Sequence, residues 1–203
     1  SSSSSSSSLS DRIVTTDGIS LPSGLEQTEF KVTSDDKDTA VYYYLQKMSG
    51  RTLIFVNAIY TAKRLDGLLR CLGFNCRTIN GQMEQKQRFR ALESFRSAPI
   101  GILVATDVAA RGLDIPKVNT VMHYDIARTA QTYIHRSGRT ARTNKEGDAI
   151  GTAISIVSPE DAGFHKEIQE VVPKSCFSTV KAELSVMSQL GSRVKLAKKV
   201  IKS

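Results

Sequence analysis

The residues best suited to chemistry fall in three short stretches. The first, Ala105 to Asp114 (ATDVAARGLD), places a polar Thr106–Asp107 pair behind an apolar run and follows it with Arg111 and Gly112. A threonine hydroxyl there can hydrogen-bond a phosphate oxygen, and a glycine lets a ligand approach the backbone. The Asp114 carboxylate can accept from ribose hydroxyls. Thr-Asp behind a strand is equally the signature of a helix cap and turn, and local sequence leaves both readings open. The second stretch, His135 to Arg142 (HRSGRTAR), spaces Arg136, Arg139 and Arg142 three apart. On a helix these would share one side within an arc of about 120°. A guanidinium is planar, permanently charged and able to hold phosphate through two parallel hydrogen bonds. Several converging on one anion stabilise charge building on a phosphoryl group during transfer. A basic face that merely touches nucleic-acid backbone has the same spacing. The third stretch, Gly81 to Phe95 (GQMEQKQRFRALESF), sets Gln85 and Arg88 three apart behind a glycine. Helix N-terminal amides plus a cation suit phosphate, although an ordinary amphipathic helix displays the same pattern.

Such residues need a frame, and the chain between them alternates strand and helix signals. Asp35 and Asp36 precede a helical pattern carrying Val41, Tyr44, Leu45 and Met48, which Gly50 ends. Thr52–Val56 is a strand-like apolar run, and Ala58, Ala62, Leu65, Leu69 and Leu72 recur at helical spacing up to Gly73. A helix is expected over Glu84–Arg96, with Phe89, Leu92 and Phe95 inward. Further strands are expected at Ile100–Ala105, Thr120–Tyr124 and Ala149–Val157, the last entered from Gly147 and closed by Pro159, with a helix over Asp161–Val171. Strands without polar alternation, separated by helices, predict an α/β sandwich whose mainly parallel sheet is covered on both faces. Ligands of such sheets sit beyond the carboxyl ends of the strands. Thr106 and Asp107 lie at that place.

Composition bounds the partners. The formal net charge of +8 and a pI near 9.5 favour a polyanion, because Lys and Arg displace counterions from phosphates. Charge alone does not choose among RNA, DNA and an acidic membrane surface. Cys71, Cys76 and Cys176 form no CxxC pair, and His123, His135 and His165 lack metal-ligand spacing, so neither a disulfide scaffold nor a metal site is expected. No apolar run approaches the length of a membrane span and no signal peptide is apparent, so no membrane partner is expected. Three regions are predicted: residues 1–26 as a disordered or linker arm beginning with the Ser1–Ser8 run, 27–172 as the α/β domain, and 173–203 as a basic helical extension. In the last, Met187, Leu190, Val194, Ala197 and Ile201 form an apolar stripe among Arg193, Lys195, Lys198, Lys199 and Lys202. A helix packed on the domain with a solvated basic face, or a dedicated RNA contact, would both look like this.

These clusters in this order, with Leu53–Asn57 (LIFVN) ahead of them, resemble the C-terminal RecA-like lobe of DEAD-box RNA helicases over roughly residues 27–172. Their spacing, Tyr133 ahead of His135 and the basic tail resemble especially the branch acting in nucleolar large-subunit ribosome assembly. The resemblance implies a RecA-like three-layer sandwich, an ATP-dependent RNA helicase activity in a longer protein, and a fragment that is inactive alone. It implies that Arg139 and Arg142 are arginine fingers to the ATP γ-phosphate, that Gly112 and Asp114 meet the nucleotide, and that His135 and Arg136 tie its site to contacts between lobes. Asn57, Gly81, Gln82, Arg88, Thr106 and Arg111 match or neighbour contacts to the RNA backbone, while Asp107 and Gln85 hold loops in shape. ATP with Mg²⁺ would be held mainly by an N-terminal lobe, for this chain has no GxxxxGK[ST] loop and no DEAD-like acidic motif. The expected partners are RNA, that lobe and pre-ribosomal particles, in the nucleus and nucleolus with the cytoplasm as the alternative. Asn80 stands where the family usually has His, Gln82 where it has Asp, Ala141 where Gly is common, and Thr143 at a place often apolar or aromatic. A non-enzymatic RNA-binding scaffold, a DNA-directed translocase lobe and a protein-interaction module docking through the basic tail helix are the rival expectations.

Overall fold

A computed structural model describes residues 12–14, 20–22, 25–140, 142–143, 149–172 and 177–202, so the serine run lies outside the described residues. An antiparallel pair comes first, β1 (Arg12–Val14) with β2 (Ser20–Pro22). The chain continues through β3 (Glu26–Lys31), α1 (Lys37–Lys47), β4 (Arg51–Val56), α2 (Ile59–Cys71), β5 (Cys76–Ile79), α3 (Gln85–Ser97) and β6 (Gly101–Thr106). After it come α4 (Asp107–Arg111), β7 (Thr120–His123), α5 (Ala130–Ser137), β8 (Arg142–Thr143) and β9 (Ala149–Ile150). The last elements are β10 (Thr152–Val157), α6 (Ala162–Val171), β11 (Phe177–Thr179) and α7 (Leu184–Lys202).

Seven strands form one sheet in the order β11-β3-β10-β7-β4-β6-β5, and every pairing in it is parallel. Period-two alternation divides its apolar side chains between two faces. Ile54, Val56, Val104, Met122 and Ile154 pack under α1 and α2, while Leu53, Phe55, Leu103, Ala105 and Val121 meet α3 and α4. Helices α5 and α6 cover the rest of that second face through Tyr133, Ile134 and Ile168. The outcome is the expected RecA-like three-layer sandwich. Helix α7 adds a further layer outside α1 and α2, with Leu190, Val194 and Ala197 against Tyr42 and Leu68. Met187 is partly buried as expected, whereas Ile201 of the same stripe is 42% exposed. Lys198 Nζ also reaches Asp38 at 2.7 Å. Two large buried apolar side chains, at about 1.5–3 kcal/mol each, outweigh a half-exposed ion pair, so the dock is chiefly apolar. No described helix is long and apolar enough to cross a membrane.

The structure departs from the sequence pattern at four places. Phe89, expected inward on α3, is 58% exposed, and only Leu92 and Phe95 are buried there. The run Ala149–Val157 is two strands, because β9 pairs antiparallel with β8 and only β10 enters the main sheet. Gly151 stands at the break, where a Cβ would come within 2.5 Å of the Thr140 carbonyl oxygen. Strands β3, β5 and β11 carry no unbroken apolar run, and β3 is held partly by polar pairing. Gln27 accepts from the Tyr133 hydroxyl at 2.9 Å, and Glu29 lies against His165 and Thr179 at 2.9 and 2.8 Å. Finally, α5 stops at Ser137, so Arg136, Arg139 and Arg142 do not share a helix face.

Candidate nucleotide and RNA interface

Register sets the site. Strands β4 and β6 pair from Arg51 with Gly101 to Val56 with Thr106, which delivers Asn57 and Asp107 side by side at the carboxyl edge. Strand β7 pairs with β4 up to His123 and brings Tyr124 and Asp125 to the same edge. Thr106 caps α4, its Oγ1 accepting from the Ala109 amide at 3.4 Å, so the local capping reading holds. That bond uses an acceptor lone pair and leaves the hydroxyl proton to donate elsewhere.

Arg136 ties these strand ends together. Its side chain is 2% exposed and spends its donors inside the protein. Nε and Nη2 donate to the Asp107 carboxylate, Nη2 also to Asn57 Oδ1 at 2.8 Å, and Nη1 to the Asp125 carbonyl at 2.7 Å. The guanidinium lies over the Phe55 ring, 5.2 Å from its centroid. Asp125 accepts from the Asn57 amide at 3.0 Å and lies 3.6 Å from Lys37 Nζ. Behind it, Tyr124 donates to buried Asp38 at 2.8 Å, and burial together with the Asp38 charge raises its pKa above the ordinary phenol range. His123 is fully buried, and desolvation first, then the charges of Arg136 and His165, holds its pKa well below 6.5.

Two adjoining clefts open at this edge. The larger, about 440 Å³, is lined by Arg139, His135, Gln131 and Phe55, and the smaller, about 300 Å³, by Asn57, Thr106, Val108 and Arg128. Asp107, Arg111 and Thr132 line both. Arg139 sits in the turn after α5, its amide bonded to the Arg136 carbonyl and its own carbonyl to the Val118 amide, each at 3.2 Å. The loop is therefore fixed while the guanidinium remains at the cleft. Of the expected nucleotide residues, His135, Arg136 and Arg139 come together, with Arg136 committed to protein contacts. Gly112 caps the end of α4 and Asp114 is exposed, its carbonyl accepting from Arg96 at 3.1 Å; neither is in the lining of these two clefts. Arg142 lies in β8, but its side chain falls outside the described residues. Of the expected RNA residues, Asn57, Thr106 and Arg111 share the smaller cleft. Gly81 borders it, since a Cβ there would lie 3.8 Å from Val108 Cγ1. Gln82 is exposed and its amide donates to Asn80 Oδ1 at 3.0 Å. Arg88 stands away on α3, with a buried Nε that has no partner among the described residues.

Residues 36–144 match the family described as helicase conserved C-terminal domain. The chain is 32% identical to Escherichia coli DEAD-box protein SrmB, solved with regulator of ribonuclease activity A, at a TM-score of 0.69, covering 80% of this chain and 93% of that one. The C-terminal domain of the DEAD-box protein Dbp5 is 28% identical, with a TM-score of 0.71 over 87% of this chain and 98% of that one. The chain belongs to the DEAD-box helicase family. It is the C-terminal lobe. Among curated relatives, human ATP-dependent RNA helicase DDX24 is 41% identical over 180 residues, 88% of this chain and 20% of that protein. Schizosaccharomyces pombe ATP-dependent RNA helicase mak5 is 38% identical over 168 residues, 82% of this chain and 25% of that protein. The chain thus spans about a fifth to a quarter of the length of these relatives.

Motif reasoning on this DEAD-box lobe missed Asp125, Lys37 and Arg128. The rule that selects residues at strand carboxyl ends, followed past β7, reaches Asp125 as it reaches Asn57 and Thr106. Lys37 carries no local signal. It is buried at the start of α1 and joins Asp161 at 2.5 Å as well as Asp125.

Proposed function

We propose that this lobe works as the second half of an ATP-dependent RNA helicase, binding RNA backbone and supplying Arg139 and Arg142 as fingers to a nucleotide held by a first lobe. The supporting observation is the contrast between neighbouring arginines. Arg136 is consumed inside the protein, whereas the Arg139 side chain lines an open 440 Å³ cleft and has no hydrogen bond or ion pair among the described residues. A cleft lined by Arg139 and His135 suits the phosphates of ATP, and a guanidinium carried on a fixed backbone stabilises charge on the terminal phosphate. Gly112 and Asp114, at the end of α4, would meet the ribose when the lobes close. ATP hydrolysis supplies the free energy of the cycle. By the motif resemblance, Mg²⁺ would come with the ATP and be held mainly by the first lobe. RNA would run past Gly81 and Gln82, across Asn57, Thr106 and Arg111, gripped at sugar and phosphate and hence largely independent of sequence. Arg88 would support it from α3. The names of the curated relatives carry the same activity. The motif resemblance further assigns the protein to ribosome assembly in the nucleolus, with pre-ribosomal particles as partners.

The test is Arg139→Ala in this lobe joined to its first lobe. RNA-stimulated ATP turnover is expected to fall by about a hundredfold or more, the scale at which removal of a charge-stabilising group acts. Turnover equal to that of the unaltered protein would remove the finger role.

A further inference from the structure

We propose that Arg128, which no motif singled out, is a phosphate ligand for the RNA strand, acting with Arg111 in the smaller cleft; the assignment rests on the RNA-lobe reading above. Arg128 and Arg111 are both exposed and line the same 300 Å³ recess, and neither has an ion pair or side-chain hydrogen bond among the described residues. The one acid in that recess, Asp107, is occupied by Arg136. Two positive charges are therefore uncompensated at this place, which is what a phosphodiester requires.

The surroundings narrow the ligand to a sugar–phosphate unit. The Thr106 hydroxyl keeps a proton to donate, because its oxygen is the acceptor in the α4 cap. Val108, 74% exposed, lies beside Gly81 at the rim and offers an apolar shelf suited to a ribose. A second acidic protein side chain would leave that shelf unused.

Arg128 is also anchored for the task. Ile126 and Ala127 before it are buried, and the Ile126 carbonyl lies 3.4 Å from the Asn57 side-chain amide. Thr129 after it caps α5, accepting from the Thr132 amide at 3.2 Å. A cation on fixed backbone loses less conformational freedom on binding than one on a loose loop.

Binding of a fluorescently labelled oligouridylate to the 203-residue chain, read by anisotropy across a salt series, tests this. Arg128→Ala is expected to weaken binding about fivefold at 0.1 M salt and to lower the slope of log K against log salt by about 0.7, the effect of one lost contact to a single strand. Arg128→Lys, which keeps the charge, is expected to keep most of the slope. Arg128→Ala with unchanged slope, whatever its affinity, overturns the assignment. If Arg111→Ala then still lowers the slope, the RNA-lobe reading stands without Arg128. An unaltered chain with no salt-dependent RNA binding overturns both.

Discussion

His123 ends β7 with its ring stacked on Tyr133, 4.7 Å between centroids, and its Nε2 3.3 Å from the Ser137 hydroxyl. Nδ1 is buried and has no hydrogen-bond partner among the described residues. A proton added here would enter a dry space already facing the Arg136 charge, so the folded protein keeps this imidazole neutral. The unfolded chain has no such restraint and takes up a proton as pH falls through 6.5. Acid then favours unfolding: the stability from this group is complete above that pH and declines below it. Between pH 7 and pH 5.5 part of that stability is lost. Urea titrations at the two pH values are expected to show a larger drop in the unaltered protein than in His123→Phe, whose ring suits the same stack. Equal drops would mean that His123 is charged in the fold.

At the scale of elements, Arg136 joins the ends of β4, β6 and β7 to α5. Arg136→Ala would leave the Asp107 carboxylate and Asn57 amide without their partner in a partly buried place. A stability loss of about 3–5 kcal/mol is expected from urea denaturation, with RNA affinity falling too because Asn57 and Thr106 lose their common support. Near-native stability would show that the strand ends hold themselves. The legibility of this layer in the sequence follows from how far apart the partners are. Strands β4 and β6 announce themselves because their side chains are apolar at every central position. Strand β3 does not, since Gln27 and Glu29 become buried only by pairing with Tyr133, His165 and Thr179 more than a hundred residues away. The spacing of arginines in HRSGRTAR suggested a continuing helix, but Thr140 bonds the Asn119 carbonyl at 2.9 Å and turns the chain out of it. The lining of the smaller cleft is readable where polar residues follow a strand end directly, as at Asn57 and Thr106. Arg128 escaped because it precedes a helix cap and belongs to no phosphate-binding pattern.

For the molecule as a whole, the question is whether the basic segment after Pro173 is a loose tether or part of the lobe. Strand β11 adds to the edge of the main sheet beside β3, and α7 lies across α1 and α2. Its cations Arg193, Lys195, Lys199 and Lys202 are thereby fixed on a rigid support at the surface, which lowers the entropy cost of any polyanion they meet. Leu190 and Lys198 separate the possibilities. Leu190→Ala removes an anchor packed with Tyr42 and Leu68, and a loss of about 2–5 kcal/mol is expected. Lys198→Ala leaves Asp38 still bonded to Arg64 at 2.9 Å and to Tyr124, so a loss of at most about 1 kcal/mol is expected. Measured urea midpoints in that order place α7 inside the cooperative unit of the lobe. A Leu190→Ala midpoint equal to that of the unaltered chain would instead make α7 a detachable arm, because a side chain at a docked interface cannot be shortened by three carbons without leaving a cavity or exposing its neighbours.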